Sequence, residues 1–260
     1  MIKKFLVILF LLPTFAFASS GSDDHGKLST VEIHPKKMNW EFDGFFGRFD
    51  KASIQRGFQV YKEVCSNCHG LKRAAYRNLE EVGFTKEEVK IIASEYLVVD
   101  GPDDEGDMFE RPALPSDRFV GPYPNENAAR SANGGAYPPD LSLMVKARHD
   151  GANYIYSLIT GYEEAPHGFE MTNGKYYNPY FPGRQISMPP PILDDEQVEY
   201  IDGTYPTKEQ MAIDVVNFLQ FVSEPETEKR KRMGVRTISF LAFLFLILLA
   251  AKKAVWKRVE

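Results

Sequence analysis

The chain contains only two cysteines, and both lie in one pentapeptide, Cys65-Ser66-Asn67-Cys68-His69. Two thiols separated by two residues and followed at once by histidine have the spacing of a c-type haem attachment site. Each thiol can add to one vinyl group of the porphyrin, and the adjacent imidazole can then bind the iron. The motif therefore predicts a fold that wraps one covalently held haem c.

Three other uses of these cysteines are possible. A thioredoxin-like redox pair would need an alternating strand and helix pattern around it, and a zinc site would need further ligands. The sequence displays neither feature. A strained structural disulfide or a chance match to the motif remains as the third alternative.

A helical pattern leads into the motif. Apolar residues recur at helical spacing from Ile54 to Val64, after Ser53, which is a suitable N-cap. The pattern predicts a helix over residues 53–64 that ends where the attachment site begins.

The second axial ligand of the iron must come from elsewhere in the chain. Met144 and Met211 lie among apolar residues at helical spacing, which favours a role in the core for both. Met188 differs because Pro189, Pro190 and Pro191 follow it and restrict the backbone that would present its sulfur. The motif alone leaves four alternatives to Met188, namely Met171, Met108, His167 and an iron without a second protein ligand.

The first residues have the pattern of an export signal. Lys3 and Lys4 form a basic start, residues 5–12 are an unbroken apolar run, and residues 16–18 are Ala-Phe-Ala. We expect residues 1–18 to be a signal peptide of bacterial type that is removed. The alternative is a retained anchor, which the shortness of the apolar run disfavours.

A second apolar segment lies near the other end. Residues 237–251 carry no charge, and residues 233–255 could cross a bilayer if Arg236 and the two following lysines extend their charged groups toward its surface. The segment has no polar face, which disfavours a buried amphipathic helix. We expect residues 229–255 to be a basic flank and a transmembrane helix, and residues 256–260 to be a cytoplasmic tail.

The signal and the single span together predict the topology, because bases flank the span on both sides and do not decide it. Residues 19–228 would form an exported, periplasmic haem c domain, tethered by one pass to the bacterial inner membrane. Without the two lysines of the signal, and without the nine bases and one acid after residue 228, the formal net charge changes from −5 to −15. Such a charge repels nucleic acid and attracts basic proteins.

The pattern of the body is mainly α. Helices are predicted over 53–64, 85–95, 140–160 with a break near Gly151, and 207–223, with capping boxes at Thr85 and Thr207. Between them lie long stretches, 98–139 and 161–206, that are rich in Pro, Gly and Tyr. Long loops of this kind are typical of a domain that wraps a cofactor, so we expect a cytochrome c-like haem domain with one C-terminal transmembrane helix.

Six carboxylates lie within residues 100–110. They form either a solvated loop or a docking surface for a basic electron acceptor, where screened attraction would favour fast arrival and departure.

Across nearly the whole mature chain, the sequence resembles cytochrome c1, the haem subunit of ubiquinol–cytochrome c reductase. The landmarks are CSNCH at 65–69, ANGGAYPPDLSLMVKARHDG at 132–151, YIYSLITGY at 154–162, YYNPYFPGRQISMPPP at 176–191, and the terminal span.

The resemblance implies roles for individual residues. Cys65 and Cys68 would attach the haem, and His69 and Met188 would be the two iron ligands. Arg148 and Tyr154 match positions at the haem propionates, where a buried guanidinium compensates a carboxylate. The alternative for Arg148 is a base at the C-terminal end of a helix. Asn133 and Pro139 match the segment that lines the haem.

The resemblance also implies the partners. The haem would take an electron from the Rieske iron–sulfur protein and pass it to cytochrome c, within a dimeric, proton-translocating complex that contains cytochrome b. This chain itself would break no substrate bond. Two rival functions are a gas-binding sensor, which requires an open iron site, and an assembly protein in which the haem is only structural.

Overall fold

The computed structural model describes residues 33–257, and helices dominate them. The α-helices are α1 Lys51–Glu63, α2 Lys86–Ser94, α3 Glu126–Ala132, α4 Gly151–Thr160, α5 Lys208–Ser223 and α6 Thr227–Trp256. The strands are β1 Leu97–Asp100, β2 Phe109–Pro112, β3 Tyr176–Tyr177 and β4 Gln185–Ile186. Short 3-10 segments cover Cys65–Asn67, Tyr76–Val82 and Pro182–Arg184. The predicted fold class, mainly α, is confirmed, and the predicted signal peptide lies outside the described residues.

The crossing of α1 and α5 forms the centre of the core. At Gly57 the two backbones approach so closely that an added Cβ would lie 1.9 Å from the Asp214 carbonyl oxygen. Phe218 of α5 then packs against Phe58 and Tyr61 of α1, with ring centroids 5.6 and 5.5 Å apart. The sequence of α1 thus places its one glycine where the helices touch and its aromatic residues on the turns beside it.

A buried polar cluster joins the same two helices. The Asp214 carboxylate is fully buried, and it accepts hydrogen bonds from Arg56 Nε at 2.8 Å and Ser53 Oγ at 2.6 Å. Asn217 Nδ2 donates to Ser53 Oγ at 2.7 Å. Because buried polar groups are costly unless they are paired, this cluster fixes the rotation of α1 against α5.

The predicted N-cap of α1 is wrong by three residues. Asp50, and not Ser53, is the N-cap, and its carboxylate accepts from the backbone N–H groups of Ala52 and Ser53. The helix can therefore begin at Lys51, and the Ser53 hydroxyl points instead into the buried cluster with Asp214.

The predicted break near Gly151 is confirmed, but of the helix predicted over 140–160 only the half after the break forms. Residues 142–150 make turns and a bend, and α4 begins at Gly151 after Asp150, whose φ is 60°. A left-handed residue cannot continue an α-helix, so the chain changes direction there. Met144 is accordingly partly buried in a turn and not on a helix, whereas Met211 is fully buried on α5 as expected.

The two predicted capping boxes have different outcomes. At α2 the box is complete, because Thr85 accepts from the Glu88 backbone N–H and Glu88 accepts from the Thr85 backbone N–H. At α5 the Thr207 hydroxyl accepts from the Gln210 N–H, but the Gln210 side chain bonds to Asp214 instead of returning to Thr207.

The stretches predicted to be irregular contain two small antiparallel ladders. β1 pairs with β2 so that Leu97 lies opposite Pro112, and β3 pairs with β4 so that Tyr176 lies opposite Ile186. Strands of four and two residues are too short to produce a recognisable alternation in the sequence. The second stretch remains largely without regular structure, as the sequence predicts.

α6 contains 30 residues and begins before the predicted basic flank, which is therefore helical too. At 1.5 Å per residue such a helix is about 45 Å long. It is long and apolar enough to cross a membrane, and the apolar window within it is not buried against the rest of the protein.

Candidate functional site

The end of α1 positions the cysteine motif. After Val64 the backbone tightens into the 3-10 turn Cys65–Asn67, and the N–H groups of Cys68 and His69 both donate to the Cys65 carbonyl, at 3.1 and 2.9 Å. Because both bonds converge on one carbonyl, the two thiols and the imidazole are held in one compact loop.

The side chains inside the motif cap the helix before it. Ser66 Oγ donates to the Lys62 carbonyl at 2.6 Å, and Asn67 Nδ2 donates to the Glu63 carbonyl at 3.1 Å. These carbonyls lack partners within a helix that ends, so the two residues between the cysteines stabilise its C-terminus.

His69 has a fixed orientation. Its Nδ1 lies 2.7 Å from the carbonyl oxygen of Pro139. A carbonyl can only accept, so Nδ1 carries the proton and the lone pair belongs to Nε2. This is the arrangement that metal-binding histidines use, in which the second nitrogen is held by a backbone carbonyl.

The segment that carries Pro139 is itself fixed to the residues after the motif. The Leu141 N–H donates to the Gly70 carbonyl at 2.9 Å, and the Lys72 N–H donates to Asp140 Oδ2 at 2.8 Å. The Pro139 carbonyl is thereby held in place, and the imidazole with it.

Both thiols of the motif are free and half-buried. Burial, together with the neighbouring Cys68 thiol, raises the pKa of Cys65 to about 12. Reactive redox cysteines have a lowered pKa, so the environment of Cys65 disfavours the thioredoxin-like alternative.

Burial lowers the pKa of His69, although the bond to the Pro139 carbonyl and the charge of Asp140 act in the opposite direction. The imidazole is therefore neutral near pH 7, and neutral imidazole is the form that binds metal ions.

Met188 follows β4 and is half-buried. Its carbonyl oxygen accepts a hydrogen bond from the Tyr162 hydroxyl at 3.0 Å. Asn178, next to β3, is fully buried and donates to the Leu158 carbonyl of α4 at 2.8 Å. Two bonds thus tie the hairpin that carries Met188 to α4 and the residues that follow it.

Arg148 and Tyr154 lie close together at the start of α4. Burial raises the pKa of the Tyr154 hydroxyl, and the nearby Arg148 guanidinium acts in the opposite direction. Arg148 is exposed and lies in the turns before α4, so the alternative role as a base at a helix C-terminus is wrong.

Asn133 ends α3 and is connected to the motif through one tyrosine. Its Nδ2 donates to the Tyr123 hydroxyl at 3.0 Å and to the Ala129 carbonyl at 2.7 Å. The Tyr123 hydroxyl donates in turn to the Asn67 carbonyl at 3.4 Å.

The predicted site residues therefore form two groups. One contains the motif, Pro139 and Asn133, and the other contains Arg148, Tyr154 and Met188. No hydrogen bond among residues 33–257 joins His69 directly to Met188.

Sequence reasoning missed three tyrosines that hold these groups, because a hydroxyl contact leaves no trace in a spacing pattern. Tyr61 donates to the His69 carbonyl at 3.0 Å, and Tyr123 and Tyr162 make the bonds described above. Tyr162 ends the landmark segment 154–162, and this is the one sequence feature that could have indicated any of the three tyrosines.

The donor set fits a haem c group. Two unpaired thiols flank a turn, and the histidine beside them directs an unprotonated nitrogen away from its backbone partner. Thioether attachment and axial ligation need these three groups.

Comparison with known proteins agrees with this fit. The model of the Cytochrome C1 family matches residues 40–259. A cytochrome c1 of Rhodospirillum rubrum is 48% identical over 246 residues, which cover 88% of this chain and 89% of that protein. A mitochondrial cytochrome c1 heme protein of Arabidopsis thaliana is 50% identical over 236 residues, which cover 91% and 75%.

A third relative is named for an assembly. The mitochondrial cytochrome b-c1 complex catalytic subunit of Candida albicans is 51% identical over 229 residues, which cover 88% of this chain and 79% of that protein. The family match spans most of the sequence and includes the motif, the Met188 hairpin and α6. This chain belongs to the cytochrome c1 family.

Proposed function

We propose that the chain is the haem c electron-transfer subunit of a ubiquinol–cytochrome c reductase, which accepts an electron from the Rieske iron–sulfur protein and reduces cytochrome c. The observation that carries the proposal is the His69 imidazole, held by the Pro139 carbonyl beside two free thiols. The family membership and the complex named for one relative support the same function.

The residues have distinct roles in this proposal. A bound haem c supplies an iron that changes by one electron between its ferric and ferrous forms. Cys65 and Cys68 would hold it covalently, and His69 Nε2 and the Met188 sulfur would bind its iron. Arg148 and Tyr154 interact with the propionates, and Asn133 and Pro139 line the group.

Three observations support Met188 over the other ligand candidates. Met188 is half-buried and its backbone is held by Tyr162. Met108 lies on the β1–β2 hairpin with 60% of its surface exposed, and Met171 is 37% exposed. His167 is also exposed. A ligand that must hold iron away from water needs a shielded, fixed position.

The proposed setting is the bacterial inner membrane, with α6 as a single pass and the haem domain on the periplasmic side. The partners would be cytochrome b, the Rieske protein and cytochrome c, in a dimeric proton-translocating complex. The strongly acidic domain supports a basic protein partner and disfavours nucleic acid.

The test replaces Met188 by leucine in the membrane-bound protein, with Met171→Leu as the matched control. Axial ligands set haem potentials over a range of about 0.8 V, so we expect Met188→Leu to lower the reduction potential by on the order of 0.1 V or more. Quinol-dependent cytochrome c reduction should fall with it, while cytochrome b and the Rieske protein still copurify. An unchanged reduction potential in Met188→Leu would show that Met188 does not bind the iron.

A further inference from the structure

Two phenylalanines stand exposed at the tip of the loop formed by residues 41–48. Phe46 is 80% exposed and Phe45 is 52% exposed, and their rings meet edge to face with centroids 5.1 Å apart. The residues on either side of the tip are anchored, because Phe42 is buried and Phe49 packs against Phe221. Contiguous exposed apolar surface marks an interaction site, whereas apolar residues scattered singly do not.

The loop is fastened along the first turns of α6. The Phe49 N–H donates to Glu228 Oε1 at 3.0 Å, and Lys231 Nζ donates to the carbonyls of Gly47 at 3.3 Å and Phe42 at 2.5 Å. As the loop is followed backwards from Phe49 to Gly47, its partner on α6 advances from Glu228 to Lys231. The limb from Gly47 to Phe49 therefore runs antiparallel to α6, and the tip lies beyond the level of Lys231, to which both Phe42 and Gly47 are bound.

The tip has the reach to meet the level at which the apolar part begins. Lys231 lies six residues before Thr237, which corresponds to about 9 Å along an α-helix. Phe46 and Phe45 lie in a turn one and two residues beyond Gly47, which adds at most about 3 to 7 Å of reach, and the phenyl ring extends the tip further. The headgroup layer on each side of a bilayer is about 5 to 8 Å thick, so this level lies within it.

We propose that Phe45 and Phe46 insert into the headgroup layer of the lipid bilayer beside α6. Aromatic side chains are favoured at this boundary. Glu41 and Asp43 outweigh Arg48, so the loop has no net positive charge to attract anionic lipid, and apolar burial in a zwitterionic lipid drives the insertion. The exported domain is thereby attached at two points, α6 and the tip, which restricts its tilt. The proposal rests on α6 spanning the membrane.

The experiment uses spin labels on the haem-loaded, full-length protein in phosphatidylcholine vesicles. Three variants, Phe46→Cys, Ile201→Cys and Leu244→Cys, each add one thiol. Ile201 is the matched control, since it is also apolar and 95% exposed but lies in the loop before α5 and not in the loop that is bound to α6. Leu244 reports on α6 itself. The accessibility of each label to oxygen, which partitions into lipid, is compared with its accessibility to a water-soluble nickel chelate.

We expect the ratio of oxygen accessibility to nickel accessibility to be several-fold higher for the label at position 46 than for the label at position 201. It should approach the ratio for the label at position 244. A ratio at Phe46 equal to that at Ile201, with Leu244 in lipid, would overturn the proposal while the span stands. A Phe46 label that neither reagent reaches would also overturn it, because a protein surface would then cover the tip. A water-exposed Leu244 label would refute the span and the insertion together, and labelling of Cys65 or Cys68 would refute haem attachment separately.

Discussion

The identity of the nitrogen that His69 offers to a metal depends on a single backbone carbonyl. The 2.7 Å contact with Pro139 fixes the proton on Nδ1, and the bonds from Leu141 and Asp140 fix the carbonyl. The sequence predicts His69 as a ligand, because the five-residue motif specifies chemistry by spacing alone. It does not predict the carbonyl partner, since a proline 70 positions away carries no signal of contact.

Tyr162 is the residue that holds the Met188 backbone. Its hydroxyl is desolvated, and burial raises its pKa, so it remains a donor to the Met188 carbonyl throughout the neutral range. Tyr162→Phe removes that donor and leaves a carbonyl with one partner fewer, at a cost of about 1 kcal/mol.

We expect Tyr162→Phe to weaken the hold on the proposed ligand without removing the haem. The measurement is the denaturant concentration at which the sulfur-to-iron charge-transfer band disappears, which should fall relative to the unmodified protein. Tyr176→Phe, at an exposed position on β3, is the control and should leave the midpoint unchanged. Equal midpoints in both variants would show that Tyr162 plays no part.

At the scale of elements, the contact between α1 and α5 tolerates no side chain at position 57. A Cβ on Gly57 would lie 1.9 Å from the Asp214 carbonyl oxygen and 2.8 Å from the Phe218 Cβ. Two helix backbones must separate to admit it, so Gly57→Ala should lower the free energy of unfolding by about 3 kcal/mol.

The matched control for Gly57→Ala is Gly234→Ala on α6, where an added Cβ meets no atom within 4 Å. Alanine is the better helix former, so this substitution should be neutral or slightly stabilising. Urea unfolding of the detergent-solubilised protein, followed by far-UV circular dichroism, compares the two. Similar midpoints for both variants would contradict the close crossing.

The capping box of α2 gives the stability of this element a defined pH dependence. Hydrogen bonds from the Thr85 backbone and hydroxyl lower the pKa of Glu88 below its usual value of 4.5. A carboxylate with a lowered folded-state pKa contributes stability above its unfolded pKa and loses it as the pH falls through the folded value.

Glu88→Gln should therefore reduce the unfolding midpoint at pH 7, and the difference from the unmodified protein should shrink below pH 4. Thermal unfolding at a series of pH values measures it. Glu87→Gln, in the same helical turn, controls for the loss of a charge near the helix N-terminus. A difference that does not change between pH 7 and pH 3 would exclude the ionised Glu88 as its source.

The helices could be predicted where local rules decide them. The apolar pattern of α5 and the capping box at Thr85 indicate where α5 and α2 begin and end. Both helices form within one residue of the predicted bounds. The predicted break near Gly151 is found, but the absence of a helix over the residues before it could not be predicted, because the left-handed φ of Asp150 lies beside the buried Val145 and depends on the tertiary fold. The two ladders could not be predicted because strands of four and two residues are too short to show an alternation in the sequence.

For the whole molecule, charge and apolar surface are divided between the two ends. All but two of the 36 acidic residues lie before α6, and the exposed apolar residues concentrate on α6. Composition alone predicts this division, because it depends on counts along the chain and not on contacts.

The β1–β2 hairpin carries part of the negative charge at its tip. Asp100 pairs with Arg111, and Asp103 Oδ1 accepts from the N–H groups of Glu105 and Asp107, so these two carboxylates have structural roles. The side chains of Asp104, Glu105 and Asp107 stand exposed.

If the hairpin attracts a basic acceptor, the triple variant Asp104→Asn, Glu105→Gln, Asp107→Asn should slow the reduction of cytochrome c several-fold at low ionic strength. The effect should disappear near 1 M salt, where the screening length is about 3 Å. Stopped-flow rates over an ionic-strength series measure it, with Glu163→Gln, Glu164→Gln as the control pair. If the reduction rate depends on salt in the same way in the triple variant and in the control pair, the hairpin is only a solvated loop and does not attract the acceptor.

The proposed electron transfer depends on a porphyrin joined by covalent bonds to Cys65 and Cys68. The direct measurement is a pyridine haemochrome spectrum of the purified membrane protein, taken before and after extraction with acidified acetone. We predict one c-type haem per chain, retained by the protein after extraction. Haem that is released into the acetone, or a purified chain with a Cys65–Cys68 disulfide and no porphyrin, would contradict it.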